Sequence, residues 1–292
     1  LDDVHEKALN IALNKIQGDW DLSVLQNILA DLETGAFDMA LTGFDAKAIE
    51  NLMTQFAPPM EGLTDPDAVP ETGKEVCKRG DMWALEGHRL LCGDAEKGED
   101  IARLVEGKSV KIAFLDPPFD MESTGYMRNI TAIMDGPILV MHSDKGSVKL
   151  AAGFPDLFRY FLVHYYSFGF ARSRTAPQMA HHLIGVFGKE VHFHSDDGFK
   201  TVICEQMERD RLMRYQKRVE IPRQCIEHFS TEGAVLDTFG GSGTTLIACE
   251  LLARPCLIME IDPRNCDIIL KRWEDFTGQK AVRQPLPSAG QP

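Results

Sequence analysis

The chain has 292 residues, 44% of them hydrophobic and 26% charged, with a formal charge of −13. These are globular values, and they exclude a disordered, collagen-like or disulfide-scaffold protein. No apolar run approaches the roughly 18 residues that a membrane helix needs.

In chain order, the opening Leu1-Asp2-Asp3 is acidic and lacks an initiator Met. It does not fit a signal peptide and implies residues upstream. Residues 1–56 read as a small helical segment. Ala8, Ile11, Ala12 and Ile16 recur at helical spacing before Gly18, Asp21 can cap a second helix, and Asp45 a third. Residues 57–75, with four Pro and two Gly, read as a linker. From residue 76 the texture is α/β. Met82–Leu85 and His88–Cys92 flank a Glu86-Gly87 turn, and a polar helical stretch covers 96–106. Strand candidates follow at Val110–Leu115, Ile138–Met141, Phe161–Tyr166, Leu183–Phe187, Val235–Leu236 and Cys256–Met259, with helices at 220–230, 243–253 and 263–277. The alternation predicts a largely parallel sheet with helices on both faces over residues 76–280. Residues 281–292 read as a flexible tail.

The negative charge is unevenly placed. Residues 1–100 hold 21 acidic and 8 basic residues and so carry the whole excess, whereas residues 101–292 hold 23 of each sign. Residues 159–223 hold 11 basic and 7 acidic residues, a locally basic face that suits a polyanion. The seven cysteines (77, 92, 204, 225, 249, 256, 266) are odd in number and form no Cys-x-x-Cys pair. That argues against a disulfide framework or zinc ribbon and for a reducing, cytoplasmic setting.

Two motifs carry chemistry. In Ala234–Thr245 an apolar strand ends in Asp237, and the turn Thr238-Phe239-Gly240-Gly241-Ser242-Gly243 opens a helix at Thr244-Thr245. Glycines let the backbone approach a ligand, and a helix N-terminus offers N–H groups to its anionic end. No Gly-Lys-Ser/Thr follows, so the turn is not a P-loop, and the full Gly-x-Gly-x-x-Gly spacing is absent. About twenty residues on, Cys256–Glu260 is a second strand ending in an acid, which suits ribose hydroxyls. The other motif is Asp116-Pro117-Pro118-Phe119 after an apolar strand. Two prolines make a stiff rim. An acid there can accept a hydrogen bond from an amino group, and an aromatic ring can stack on a flat base.

Together these residues resemble the DNA amino-methyltransferases, which move a methyl group from S-adenosylmethionine to an exocyclic nitrogen of adenine or cytosine. Asp116–Phe119 matches their catalytic tetrapeptide. Asp237–Thr245 matches their cofactor loop, with Thr238 in a Pro position. Residues 80–94 and Glu260-Ile261-Asp262-Pro263 with Cys266 and Trp273 also fit. Gln216-Lys217-Arg218-Val219 stands where many have Gln-Lys-Pro-Val, with Arg218 as the departure. The tetrapeptide precedes the cofactor loop, the order of the β class. Ala8–Lys15 and Leu41-Thr42-Gly43-Phe44 resemble the helical end of the ParB-like domains fused ahead of such enzymes.

The resemblance implies a Rossmann-like methyltransferase sheet with a small target-recognition part at about 159–223. It implies adenine N6 methylation of double-stranded DNA in the cytoplasm of a bacterium or its phage, by base flipping and direct displacement. Asp116 and the carbonyl of Pro117 would accept the two amino hydrogens, and Pro118 and Phe119 would complete the rim, Phe119 stacking on the base. Asp237 would meet the methionine amino group of the cofactor, Glu260 the ribose and Asp94 the adenine amino group. Phe239, Gly240, Gly241, Ser242, Gly243, Thr244, Thr245 and Lys217 would line the cofactor site. Arg172, Arg174, Arg209, Arg211, Arg214 and Arg218 are the candidate phosphate contacts.

Several alternatives stay open at this point: cytosine N4 methylation, methylation of RNA or protein, and an idle DNA-binding or partition protein. Many cytosine-N4 enzymes carry Ser where Asp116 stands, which favours adenine. Homodimerisation, the recognition sequence and a restriction partner also stay open. No metal is expected, because His181-His182 and His192/His194 lack a carboxylate or Cys at ligand spacing. Pro255-Cys256 lies inside a strand, so Cys256 reads as a core residue rather than the nucleophile of a cytosine-C5 methyltransferase.

Overall fold

The chain divides into two compact units, residues 1–60 and 61–292. A computed structural model describes residues 62–72, 75–171, 178–194, 200–205 and 218–285, all in the second unit. The helices expected within 1–56 lie outside the described residues.

The described residues form ten strands and six helices: β1 (Met82–Leu85), β2 (His88–Cys92), α1 (Gly98–Val105), β3 (Val110–Leu115), α2 (Gly125–Thr131), β4 (Ile138–His142), α3 (Asp144–Gly153), β5 (Phe158–Ala171), β6 (Gln178–Phe187), β7 (Val202–Glu205), α4 (Glu220–Phe229), β8 (Ala234–Asp237), α5 (Thr244–Leu251), β9 (Cys256–Glu260), α6 (Pro263–Thr277) and β10 (Val282–Arg283). They make one sheet in the order β10-β1-β2-β9-β8-β3-β4-β6-β5-β7. The central strands β2, β9, β8, β3 and β4 run parallel. Antiparallel pairs flank them: β1 with β2 and β10 on one side, β6 with β4 and β5 on the other.

Every residue of β4, β8 and β9 is buried, as expected of strands covered on both faces. On one face Ile101 and Leu104 of α1, Tyr126, Met127 and Ile130 of α2 and Leu150 of α3 pack on the sheet. On the other face Ile221, Cys225, Ile226 and Phe229 of α4, Leu246–Cys249 of α5 and Ile269, Trp273 and Phe276 of α6 do the same. Cys256 is a fully buried member of this second core. The boundaries of α6 are set locally. Asp262 accepts a hydrogen bond from Arg264 N at 2.9 Å, Pro263 opens the helix, and Gly278 closes it at φ +74°.

Two stretches differ from expectation. Val282–Arg283, read as tail, pairs with the edge strand β1 because β1 has backbone groups free on that side; Gln284 N donates to Met82 O at 2.8 Å. The described part of the Pro-rich stretch 57–75 is bonded to the domain, with Leu63 N donating to Phe276 O at 2.8 Å. Helices α2 and α3 and strand β7 also have no counterpart in the sequence reading.

A buried polar network ties α5, α6 and the sheet together. Glu250 Oε2 accepts from His88 Nε2 at 2.6 Å and from Trp273 Nε1 at 2.8 Å. Cys256 N donates to His88 Nδ1 at 2.9 Å, which puts the ring proton on Nε2. Burial opposes the charge on Glu250, but the bonds from His88 and Trp273 outweigh it and hold its pKa below the ordinary 4.5. The stability it contributes is therefore present above pH about 4.5 and is lost as the pH falls. Glu250→Ala should cost about 1–3 kcal/mol for each buried donor left unsatisfied. Urea unfolding at pH 7 measures the loss, and the gap from wild type should narrow on acidification.

Candidate active site

The carboxyl ends of the five parallel strands share one edge of the sheet. Strand β3 leads to β4 on one side, while the adjacent β8 leads to β9 on the other. The order reverses between β3 and β8, where open α/β sheets form a ligand crevice. Asp116 follows β3, and Asp237 ends β8. A cavity of about 140 Å³ lies there, lined by Phe114, Asp116, Met141, Ile221, Pro222, Asp237, Phe239, Gly240, Gly241, Ser242, Thr244 and Thr245. The two motifs, about 120 residues apart in sequence, thus meet in one cavity.

The turn after β8 is held by its own backbone. Gly240 N donates to Met259 O at 2.7 Å, Gly243 N to Gly240 O at 2.7 Å, and Phe239 N to Asp237 Oδ1 at 2.8 Å. Gly241 and Gly243 have φ of +53° and +85°, which favour glycine. A Cβ on Gly240 would stand 2.8 Å from Ile258 Cγ1, so only glycine lets the turn lie flat on β9. Glu260, buried at the end of β9, accepts Gly241 N at 2.7 Å on one oxygen and Asp262 N at 2.8 Å on the other. The expected ribose acid therefore also braces the glycine turn. Its side chain is not part of the cavity lining.

Asp94 follows β2, beside Glu260. Its Oδ1 accepts from Glu96 N at 3.1 Å, and its own N–H donates to Asp100 Oδ2 at 2.9 Å. It is half-buried and lies outside the cavity lining.

In the tetrapeptide Pro117 is buried, Asp116 and Phe119 are half-buried, and Pro118 is exposed. Phe119 does not line the cavity. Its ring meets the edge of His182 at 4.7 Å and stacks on His142 at 6.0 Å. Ser143 Oγ donates to Phe119 O at 3.2 Å and caps α3 through Gly146 N. Ser143 N donates to His142 Nδ1 at 2.8 Å. A Cβ on Gly146 would reach the His142 ring at 2.5 Å, so a glycine there makes room for the imidazole that backs Phe119.

Among the candidate phosphate contacts only Arg218 is described, at the approach to α4. Arg172, Arg174, Arg209, Arg211, Arg214 and the cofactor candidate Lys217 lie outside the described residues. The sequence reading missed Phe114, Met141, Ile221 and Pro222 as cavity walls. Pro222 in the first turn of a helix was visible as a start signal, but nothing local marked which cavity it lines.

Two family profiles match the chain: a ParB-methyltransferase HTH domain over residues 23–79 and a DNA methylase over residues 199–271. The two matches place a ParB-methyltransferase HTH segment ahead of a DNA methylase segment in one chain. The fold agrees. The domain is similar to the crystal structure of the M1.HpyAVI–SAM complex (TM-score 0.54, 19% identity, covering 63% of this chain and 98% of that one). It is also similar to a putative DNA modification methylase from Thermus thermophilus (TM-score 0.50, 16% identity, covering 66% and 97%). No curated protein matches the chain. Among the described residues no helix is long and apolar enough to cross a membrane.

The cavity holds two carboxylates, Asp116 and Asp237. Asp237 is buried with Asp116 and Glu260 near enough to repel its charge. Burial first, then those two carboxylates, raise its pKa from 3.8 to about 7, against the lowering effect of bonds from Thr245 and Phe239 N. The folded chain thus carries an ionised Asp237 at a cost above pH about 7, and regains stability as it takes up a proton below that. Asp237→Asn should raise thermal stability at pH 8, with the advantage shrinking toward pH 5. Calorimetric scans of both proteins across that range check the sign.

Proposed function

We propose that this chain methylates adenine N6 in double-stranded DNA, with S-adenosylmethionine as methyl donor. The observation that carries the reading is the single cavity shared by Asp116 and the Asp237–Thr245 turn. The donor set fits the cofactor. A buried carboxylate suits its ammonium, the α5 N-terminus suits its carboxylate, and the flat glycine turn leaves room for close approach. M1.HpyAVI, which shares the fold, was solved with SAM.

When bound, S-adenosylmethionine supplies an electrophilic methyl group on a sulfonium sulfur. The chain's own residues do the rest by placement. The target base is flipped out of the duplex toward the tetrapeptide. Asp116 accepts one amino hydrogen and the Pro117 carbonyl the other, which favours a tetrahedral nitrogen with its lone pair directed at the donor. Phe119 stacks on the base from its seat against His142 and His182. Asp237 meets the donor's ammonium inside the cavity, Glu260 takes its ribose beyond the lining while bracing the glycine turn, and the arginines of 209–218 hold phosphates. Orientation and charge placement supply the rate, with no covalent enzyme intermediate.

Asp116→Ala should lose methyl transfer while keeping cofactor affinity, because its partner is the target amino group. The assay is single-turnover transfer of labelled methyl to DNA in which either adenine or cytosine is the only methylatable base. Label on the adenine substrate with wild type, and its loss in the variant, is the expected outcome. Label on cytosine alone would reassign the target to cytosine N4. Wild-type rates in Asp116→Ala would refute the mechanism.

A further inference from the structure

We infer that Leu63–Asp67 is a strap that sets the spacing of the two cavity walls, with Asp67 and Arg272 as positioning residues for cofactor binding. The inference deepens the methyl-donor reading above and rests on it.

Arg272 on α6 is 3% exposed. Its Nη1 donates to Ser242 O at 2.9 Å, to Ser242 Oγ at 3.3 Å and to Thr244 Oγ1 at 3.4 Å. Its Nη2 donates to Pro66 O at 2.7 Å. One guanidinium thus joins the glycine turn to the strap. One residue further on, Asp67 Oδ1 accepts Val219 N at 2.9 Å, at the N-terminus of α4. Ile221 and Pro222, in the next turn, form the facing wall of the cavity. The strap itself is fixed at its start, where Leu63 N meets Phe276 O and Gly62 lies so close to the Phe276 ring that a Cβ would overlap it.

Ser242 and Thr244 belong to one wall, and Ile221 and Pro222 to the other. Both walls are therefore bonded to two consecutive residues of the strap, Pro66 and Asp67. Burial pulls the Arg272 pKa down to about 10, with Asp67 and Asp65 opposing the shift, so the group stays charged at neutral pH. Well-packed apolar side chains often stabilise a core as well as a buried ion does. A planar fork with several donors does what they cannot: it fixes the orientation of a backbone turn.

The test compares Asp67→Ala with Asp67→Asn in the full chain. Asp67 is half-buried, so both variants should fold. Titration calorimetry with S-adenosylmethionine and with S-adenosylhomocysteine should show about tenfold weaker binding of both in Asp67→Ala. Asp67→Asn, which keeps the Oδ1 acceptor for Val219 N, should recover most of it, and the loss should appear in KM for the cofactor rather than in kcat. Affinities in Asp67→Ala within twofold of wild type would overturn the inference. Amide hydrogen exchange of the ligand-free protein is a second readout that needs no cofactor. Asp67→Ala should speed exchange at both 219–222 and 242–245, and acceleration confined to 219–222 would also overturn it. If wild type binds neither compound while exchange changes at both walls, the methyl-donor reading fails but the coupling of the walls stands.

Discussion

The constraint on which this domain turns is the crowding of carboxylates at the carboxyl edge of a parallel sheet. Asp116, Asp237 and Glu260 lie at the ends of β3, β8 and β9, with Asp237 and Glu260 buried. Burial and the charges of Asp116 and Glu260 make Asp237 resist ionisation. The fold answers with backbone donors: Phe239 N on Asp237, and Gly241 N and Asp262 N on Glu260. A cation beside Asp237 would favour its ionised form, which suits the sulfonium and ammonium of the proposed donor.

That requirement explains the architecture around it. The glycine turn has to be tight enough to aim the Gly241 N–H at Glu260 and flat enough to clear Ile258, so glycines stand at 240, 241 and 243. The tetrapeptide has to keep its shape without the turn's help. Prolines stiffen it, and the His142–Ser143 corner of β4 and α3 holds Phe119 by backbone and ring contacts.

Much of this was legible in the chain. Apolar runs such as Ile138–Met141 and Cys256–Met259 announce buried strands, because a strand covered on both faces has no polar alternation to confuse it. The glycine turn and the tetrapeptide are legible because their chemistry is local: glycine for positive φ, proline for a fixed one, an acid at each strand end. Helix α3 escaped notice because Asp144–Gly153 contains two glycines and little apolar periodicity. The strap escaped because its meaning is wholly non-local. Asp67 meets Val219 across 152 residues and Pro66 meets Arg272 across 206, and no pattern near residue 66 announces either partner. The prolines there read as a linker, although in the folded chain they stiffen a bonded segment.

The pairing of Val282–Arg283 with β1 has a consequence for association. An uncovered β1 would be an edge strand with a row of unsatisfied N–H and C=O groups, a template for another chain's strand. The short β10 occupies that row, and Arg283 pairs with Asp81 at its end. Among the described residues β10 is the last strand on this side of the sheet. A chain ending before residue 282 would leave it open to edge-to-edge self-association.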